Sequence, residues 1–133
     1  MIEFNQELNK GEKMKEIKNK NLEDIQPKEY SWGKSWPVVQ AEETEGELNA
    51  FYKEVRKPEE KATFHKKSTE NHLVVRGKGA IVVGERKIKV KELMSIIIPP
   101  NTPHQVIPDP NTVMEIYVTA TPAVTKEDIF TIE

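Results

Sequence analysis

With 133 residues and no cysteine, the chain has room for one domain around a single core, and it excludes a disulfide framework, a thiolate metal site and a cysteine nucleophile. Twenty Lys and Arg against 22 Asp and Glu leave a net charge of −2 with no basic stripe, which argues against nucleic acid as a partner. The longest apolar run, SIIIPP from Ser95 to Pro100, is far too short for a membrane span or a signal peptide, so a soluble cytoplasmic protein without a membrane partner is expected.

Residues 1–29 are rich in Lys, Glu and Asn, and their apolar positions Leu8, Met14, Ile17, Leu22 and Ile25 recur only loosely at helical spacing. This reads as a flexible or partly helical N-terminal extension. Met14 is a candidate natural start, because the residues before it add charge and little apolar material. The domain proper is expected over residues 30–133.

From Trp36 onward short runs rich in β-branched and aromatic residues follow one another: WPVVQ, LNAFYKEV, KATFH, HLVV, AIVV, RKIKV, SIII and VMEIYVT. Gly, Pro and Asn separate them. Eight or more short strands at this spacing predict an all-β sandwich or barrel. In the last run Val113, Glu115 and Tyr117 face one way and Met114, Ile116 and Val118 the other. Gly77 and Gly79 are expected to take positive φ in one turn and Gly84 in a tight hairpin. Pro122 stops the last strand, and Thr125 with Asp128 three residues on predicts a capped short helix through Phe130. Charged residues at 32% and a mean hydropathy of −0.66 match the composition of heat-stable proteins.

The chain has three histidines, and their company is the main chemical clue. His65 and Lys67 stand two apart in a predicted strand, which would point both to one face. Glu70 opens the next strand and shares its face with His72 and Val74. His104 follows PPNTP, whose prolines fix its approach to the strand QVI.

These stretches resemble a family. HKKSTENHLVVRGKG is similar to the first cupin motif, His-x-His followed shortly by Glu, an apolar strand and a glycine turn. SIIIPPNTPH is similar to the second, an apolar strand, a proline loop and a His. The resemblance spans residues 32–130 and is nearest to the small domains of type II phosphomannose isomerases, whose Trp-Gly element resembles Trp32 and Gly33 and whose closing acidic segment resembles Asp128 and Ile129. It implies an all-β double-stranded antiparallel β-barrel of jelly-roll type and a homodimer formed through edge strands. It also implies a divalent metal (Zn, Mn, Fe or Ni) held by His65, Glu70 and His104.

Lys67 is read as standing where the second histidine belongs, and an ammonium has no lone pair for a metal. Leu93 and Met94 replace a Gly and an Asp of the family pattern. Asn101 replaces a loop Gly but tolerates the left-handed conformation. Three readings of Lys67 stay open. It swings aside and leaves a two-imidazole, one-carboxylate metal site with open positions; or its ammonium takes the metal's place against Glu70 in a pocket without cofactor; or, with a depressed pKa, it serves as a base. His72 is a second candidate proton carrier, with a packed structural histidine as its alternative.

Trp32 and Trp36 are candidate walls of a ligand pocket, or simply close the barrel. Arg76, with Lys78 and Lys66, is a candidate for phosphate capture, although RGKG lacks the length and following helix of a phosphate cradle. The run from Arg86 to Lys91 alternates charge with Ile88 and Val90, as a solvated strand face does. Three functions are in view: a sugar-phosphate isomerase-like enzyme that moves a proton beside a metal-polarised carbonyl, a non-catalytic carbohydrate or small-molecule binder, and a metal-dependent dioxygenase.

Overall fold

The computed structural model describes residues 17–132; the expectations on Leu8 and Met14 fall outside them. Eleven strands form among these residues: β1 (Lys28–Tyr30), β2 (Gly33–Val39), β3 (Asn49–Val55), β4 (Ala62–Phe64), β5 (Thr69–Arg76), β6 (Gly79–Val83), β7 (Arg86–Val90), β8 (Ser95–Ile98), β9 (His104–Pro108), β10 (Met114–Thr121) and β11 (Phe130–Ile132). They make two antiparallel sheets, one of six strands in the order β1-β2-β3-β10-β5-β8 and one of five in the order β11-β4-β9-β6-β7. The architecture is the all-β, jelly-roll-like double sheet expected from the strand pattern. No helix among the described residues is long and apolar enough to cross a membrane.

The period-2 alternation does the sorting. In β10, Met114, Ile116 and Val118 are buried while Glu115 and Tyr117 are only partly so, because successive side chains of a strand leave on opposite faces. Val74 of β5, Ile81 of β6, Val106 of β9 and Ile98 of β8 meet them from both sheets and close one apolar core. That core lies toward the end where β6 starts, with Gly79 against Met114; the polar inward residues collect toward the other end, where Val83 at the β6–β7 turn pairs with His104.

Gly77 and Gly84 take positive φ, 84° and 60°, as their turns require. Gly79 does not. Its missing side chain serves close packing instead, since a Cβ there would run into the Ile107 carbonyl and lie 2.8 Å from the Met114 sulfur. Asn101 adopts the left-handed conformation at φ 61°, and Leu93 does so at φ 71°.

The short C-terminal helix is replaced by a single 3-10 turn, Lys126–Asp128, followed by β11 on the edge of β4. Phe130 pairs with Phe64 in register and stacks on it at 5.2 Å. Thr125 makes no side-chain cap, and the Asp128 carboxylate turns to the backbone N–H groups of Lys66 at 2.8 Å and Lys67 at 3.0 Å. The pairing covers an otherwise open edge of β4. At the other end of the chain, Lys28–Tyr30 pairs with β2 and extends the six-stranded sheet, after a 3-10 turn at Leu22–Asp24.

Candidate metal centre

His65 follows β4 directly, Glu70 and His72 lie on the inner face of β5, and His104 opens β9. Register brings them together: Thr63 of β4 pairs with His104, and Glu70 pairs with Ile98 and Ala120. All four side chains are buried, and three imidazole nitrogens converge on one carboxylate. His104 Nε2 lies 2.9 Å and His72 Nε2 3.2 Å from Glu70 Oε1, and His65 Nε2 lies 3.4 Å from Oε2.

The outer nitrogens fix the tautomers. His65 Nδ1–H donates to the main-chain oxygen of Asp128 at 2.7 Å, and His104 Nδ1–H donates to that of Thr102 at 3.1 Å. A carbonyl can only accept, so each Nδ1 carries a proton and each Nε2 lone pair of the neutral ring faces Glu70. Lone pairs facing a carboxylate need a cation between them. A proton on Nε2 or a bound metal ion satisfies that need.

His72 differs. Its Nδ1 is buried without a partner and its Nε2–H donates to Glu70, and burial pushes its pKa below the usual histidine range. His72 is therefore a neutral donor that holds the carboxylate in place. For Glu70, burial opposes the charged form, but hydrogen bonds from His104, His65 and His72 outweigh it and hold the carboxyl far below the carboxylate range. Burial likewise disfavours charge on His65, yet the hydrogen bonds to Glu70 and Asp128 raise it above the ordinary value.

The donor set fits a divalent metal. One ligand atom from each of the three residues lies within 4.8 Å of the others, a little wider than the roughly 4.4 Å that two opposed bonds of about 2.2 Å span. Main-chain carbonyls orient both rings in the way metal-ligating histidines are usually oriented.

The centre forms the floor of a cavity of about 310 Å³. Its wall holds Trp32, Phe51 and Ile129, together with a second charged pair, Lys53 and Glu59. Lys53 Nζ lies 3.0 Å from Glu59 Oε2 and 4.8 Å from the Trp32 ring centroid. Tyr30 stacks on Trp32 at 4.8 Å.

Of the sequence candidates, the fold brings together His65, Glu70, His72, His104 and Trp32. Lys67 lies elsewhere. The chain leaves β4 at Phe64, so His65 and Lys67 do not share a strand face, and Lys67 is exposed on a loop whose backbone Asp128 ties down. The strand partner of His65 two residues away is Thr63, which lines the cavity. The residue that departs from a His-x-His pair is thus Thr63, and the Lys67–Glu70 contact of one of the three open readings is not formed. Arg76 is exposed and pairs with Glu115 at 3.2 Å. Trp36 points outward, against Tyr52 and beside Leu22 and Ile25. Lys53 and Glu59 escaped the sequence reading; a lysine alternating with Phe51 and Val55 on an inward face was the available signal for one of them.

A buried carboxylate contacted by three imidazoles thus sits between two antiparallel sheets at a small cavity. The family model for the cupin domain matches residues 54–119. Over those residues the chain is similar to the cupin domain.

Solved structures agree on the fold. Streptomyces PAC13, a nucleoside dehydratase, is 19% identical, with 88% of this chain and 92% of that one covered and a TM-score of 0.76. The polyketide cyclase RemF from Streptomyces resistomycificus is 15% identical, with 89% and 87% covered and a TM-score of 0.75. Ectoine synthase from P. lautus is 15% identical, with 88% and 91% covered and a TM-score of 0.71. No curated protein matches the sequence significantly.

Proposed function

We propose that the protein is a metal-binding cupin in which His65, Glu70 and His104 hold a divalent ion of the Zn, Mn, Fe or Ni group and the cavity takes a small oxygen-rich molecule such as a sugar or sugar phosphate. The observation that carries this reading is the pair of locked tautomers: Asp128 and Thr102 commit both Nδ1 protons and leave two Nε2 lone pairs aimed at one buried carboxylate. Three ligands leave positions open for water or a ligand oxygen. The ion supplies Lewis acidity toward that oxygen.

The chain's own residues do the rest. His72 holds Glu70 in its ligating orientation, and the apolar wall of Phe51, Val118 and Ile129 keeps bulk water from the centre. In an isomerase form of this reading the proton carrier would be His72, which lines the cavity, and not the exposed Lys67. A related solved structure bound to uridine supports a polar small molecule as the occupant.

A second reading, a non-catalytic binder without metal, is favoured by one observation: Glu70 is already contacted by three imidazoles. Elemental analysis of protein purified without chelator separates the two. About one metal equivalent per chain, lost in Glu70→Gln, is the expected result; a metal-free preparation that takes up no added divalent ion rules the first reading out. Thermal-shift screening with sugars, sugar phosphates and nucleosides then identifies the occupant, and turnover assays on any hit decide between enzyme and binder.

A further inference from the structure

Lys53 is an unusual residue for its position. On β3 it alternates inward with Phe51 and Val55, pairs in register with Ile116 of β10, and keeps only 14% of its side chain exposed. Bringing an ammonium this far out of water costs several kcal/mol unless it is compensated. Two groups compensate it. Glu59 accepts a hydrogen bond at 3.0 Å, and Trp32 places its ring under the charge at 4.8 Å.

Glu59 is itself pinned. Its Oε1 accepts from the Val106 N–H at 2.8 Å, its own N–H donates to the Val106 carbonyl at 3.0 Å, and its carbonyl accepts from the Gln105 side chain. Burial disfavours its charge, but Lys53 and the Val106 N–H outweigh that and hold it ionised. Tyr30 stacks parallel to Trp32 and so steadies the ring beneath Lys53. The cation is thus held from two sides at one place in the cavity wall.

An ammonium has three N–H donors. One goes to Glu59, and a π face accepts no conventional hydrogen bond. The others meet no protein acceptor among the described residues, although Lys53 lines the same cavity as Glu70. Both carboxylate oxygens of Glu59 are engaged, so this side of the cavity offers donors and little else. The remaining wall is largely apolar.

We propose that Lys53 is the ligand-anchoring cation of the cavity, binding an anionic oxygen, carboxylate or phosphate, of a small molecule whose second oxygen function reaches the Glu70 centre. Trp32 and Glu59 are positioning residues that hold the ammonium in place. The second contact rests on the metal-site reading given above; the first does not. The reading also makes a direct stack of a sugar ring on Trp32 unnecessary, since Tyr30 and Lys53 already occupy that ring.

The test is isothermal titration of succinate, its monoamide succinamate and inorganic phosphate into Zn²⁺-loaded and metal-free protein, with zinc content measured on each sample. Wild type is expected to bind succinate or phosphate, whichever source the site selects, and to prefer succinate to succinamate if carboxylate is that source. Lys53→Met should weaken binding by on the order of 10- to 100-fold, the usual worth of a charge-assisted hydrogen bond, with zinc content unchanged. Lys53→Arg should stay within a few fold of wild type.

Because Lys53→Met leaves Glu59 unpaired, Lys53→Met/Glu59→Gln serves as the variant that keeps the Val106 contact without a buried lone charge, and it should show the same loss. Unchanged binding in the double variant overturns the proposal, as does parallel loss of zinc and anion, or a wild type that binds none of the three probes. Lys53-dependent binding by protein that takes up no zinc would instead sink the metal reading and leave the anchoring role of Lys53 standing.

Discussion

His65 takes its orientation from Asp128: the ring's Nδ1–H donates to the Asp128 main-chain oxygen at 2.7 Å, while the Asp128 carboxylate accepts the N–H groups of Lys66 and Lys67. One residue therefore sets both the imidazole and the loop that carries it. Replacing Asp128 with Ala removes the loop anchors while leaving the carbonyl. Metal affinity is expected to fall about 10- to 100-fold, as it does when outer partners of ligating histidines are lost. Competition with a chromophoric chelator measures it; an unchanged affinity would show that β11 alone fixes the loop.

Thr63, and not Lys67, occupies the cavity-facing position of the His-x-His pair. Thr63→His should add a fourth ligand and tighten divalent metal binding by on the order of tenfold or more. Lys67→His, on the exposed loop, should change it little. Equal gains from both substitutions, read by metal titration, would contradict this register.

The pH dependence of the His65 contribution has opposite signs with and without metal. In the metal-free protein the His65 pKa is raised: burial lowers it, but Glu70 and Asp128 more than offset that. A raised imidazole stabilises fully below its unfolded value of about 6.5 and loses the contribution as pH climbs through the folded value. The depressed Glu70 supplies its partner charge above its own unfolded value of about 4.3, losing that contribution only as pH falls through the folded value. The stability gap between wild type and His65→Gln should thus be widest between about pH 4.3 and 6.5 and narrow at higher pH. With metal bound the rings must be unprotonated at Nε2, so the gap should widen as pH rises. Thermal melts of both proteins across pH 5–8, with chelator and with Zn²⁺, test the crossover.

Leu93 holds a φ of 71° with its side chain 82% exposed. The left-handed conformation costs an L-residue roughly 1–2 kcal/mol, partly offset in Leu93→Gly by the entropy of an added glycine. That substitution should stabilise the fold by up to about 1 kcal/mol and raise Tm by a few degrees. A lower Tm in differential scanning calorimetry would mean that Leu93 packs more productively than its exposure indicates.

Much of the fold could be read from the chain because several strands carry their own period-2 signal: β5, β8 and β10 alternate burial. The short β4 was harder. Three residues give too little alternation to show where a strand ends, and extending it past Phe64 made Lys67 look like a neighbour of His65. The same length effect hid β11, whose Phe-Thr-Ile carries no pattern of its own and is recruited by the edge of β4. Glu70 and the three histidines stood out by chemistry. Lys53 and Glu59 did not: the inward alternation of Lys53 with Phe51 and Val55 was the one signal, and Glu59, six residues on, lies between β3 and β4 where no period marks it.

The bond between His65 and Asp128 spans 63 residues of chain. At about 5–20 residues per second of synthesis, His65 emerges from the ribosome roughly 3–13 s before the carbonyl that sets its ring. His65 and Glu70 therefore spend those seconds without the group that turns one toward the other. On the proposed metal reading, capture of the ion is expected to follow the emergence of Asp128: a nascent chain interrupted before it lacks both β11 and the carbonyl that aims His65.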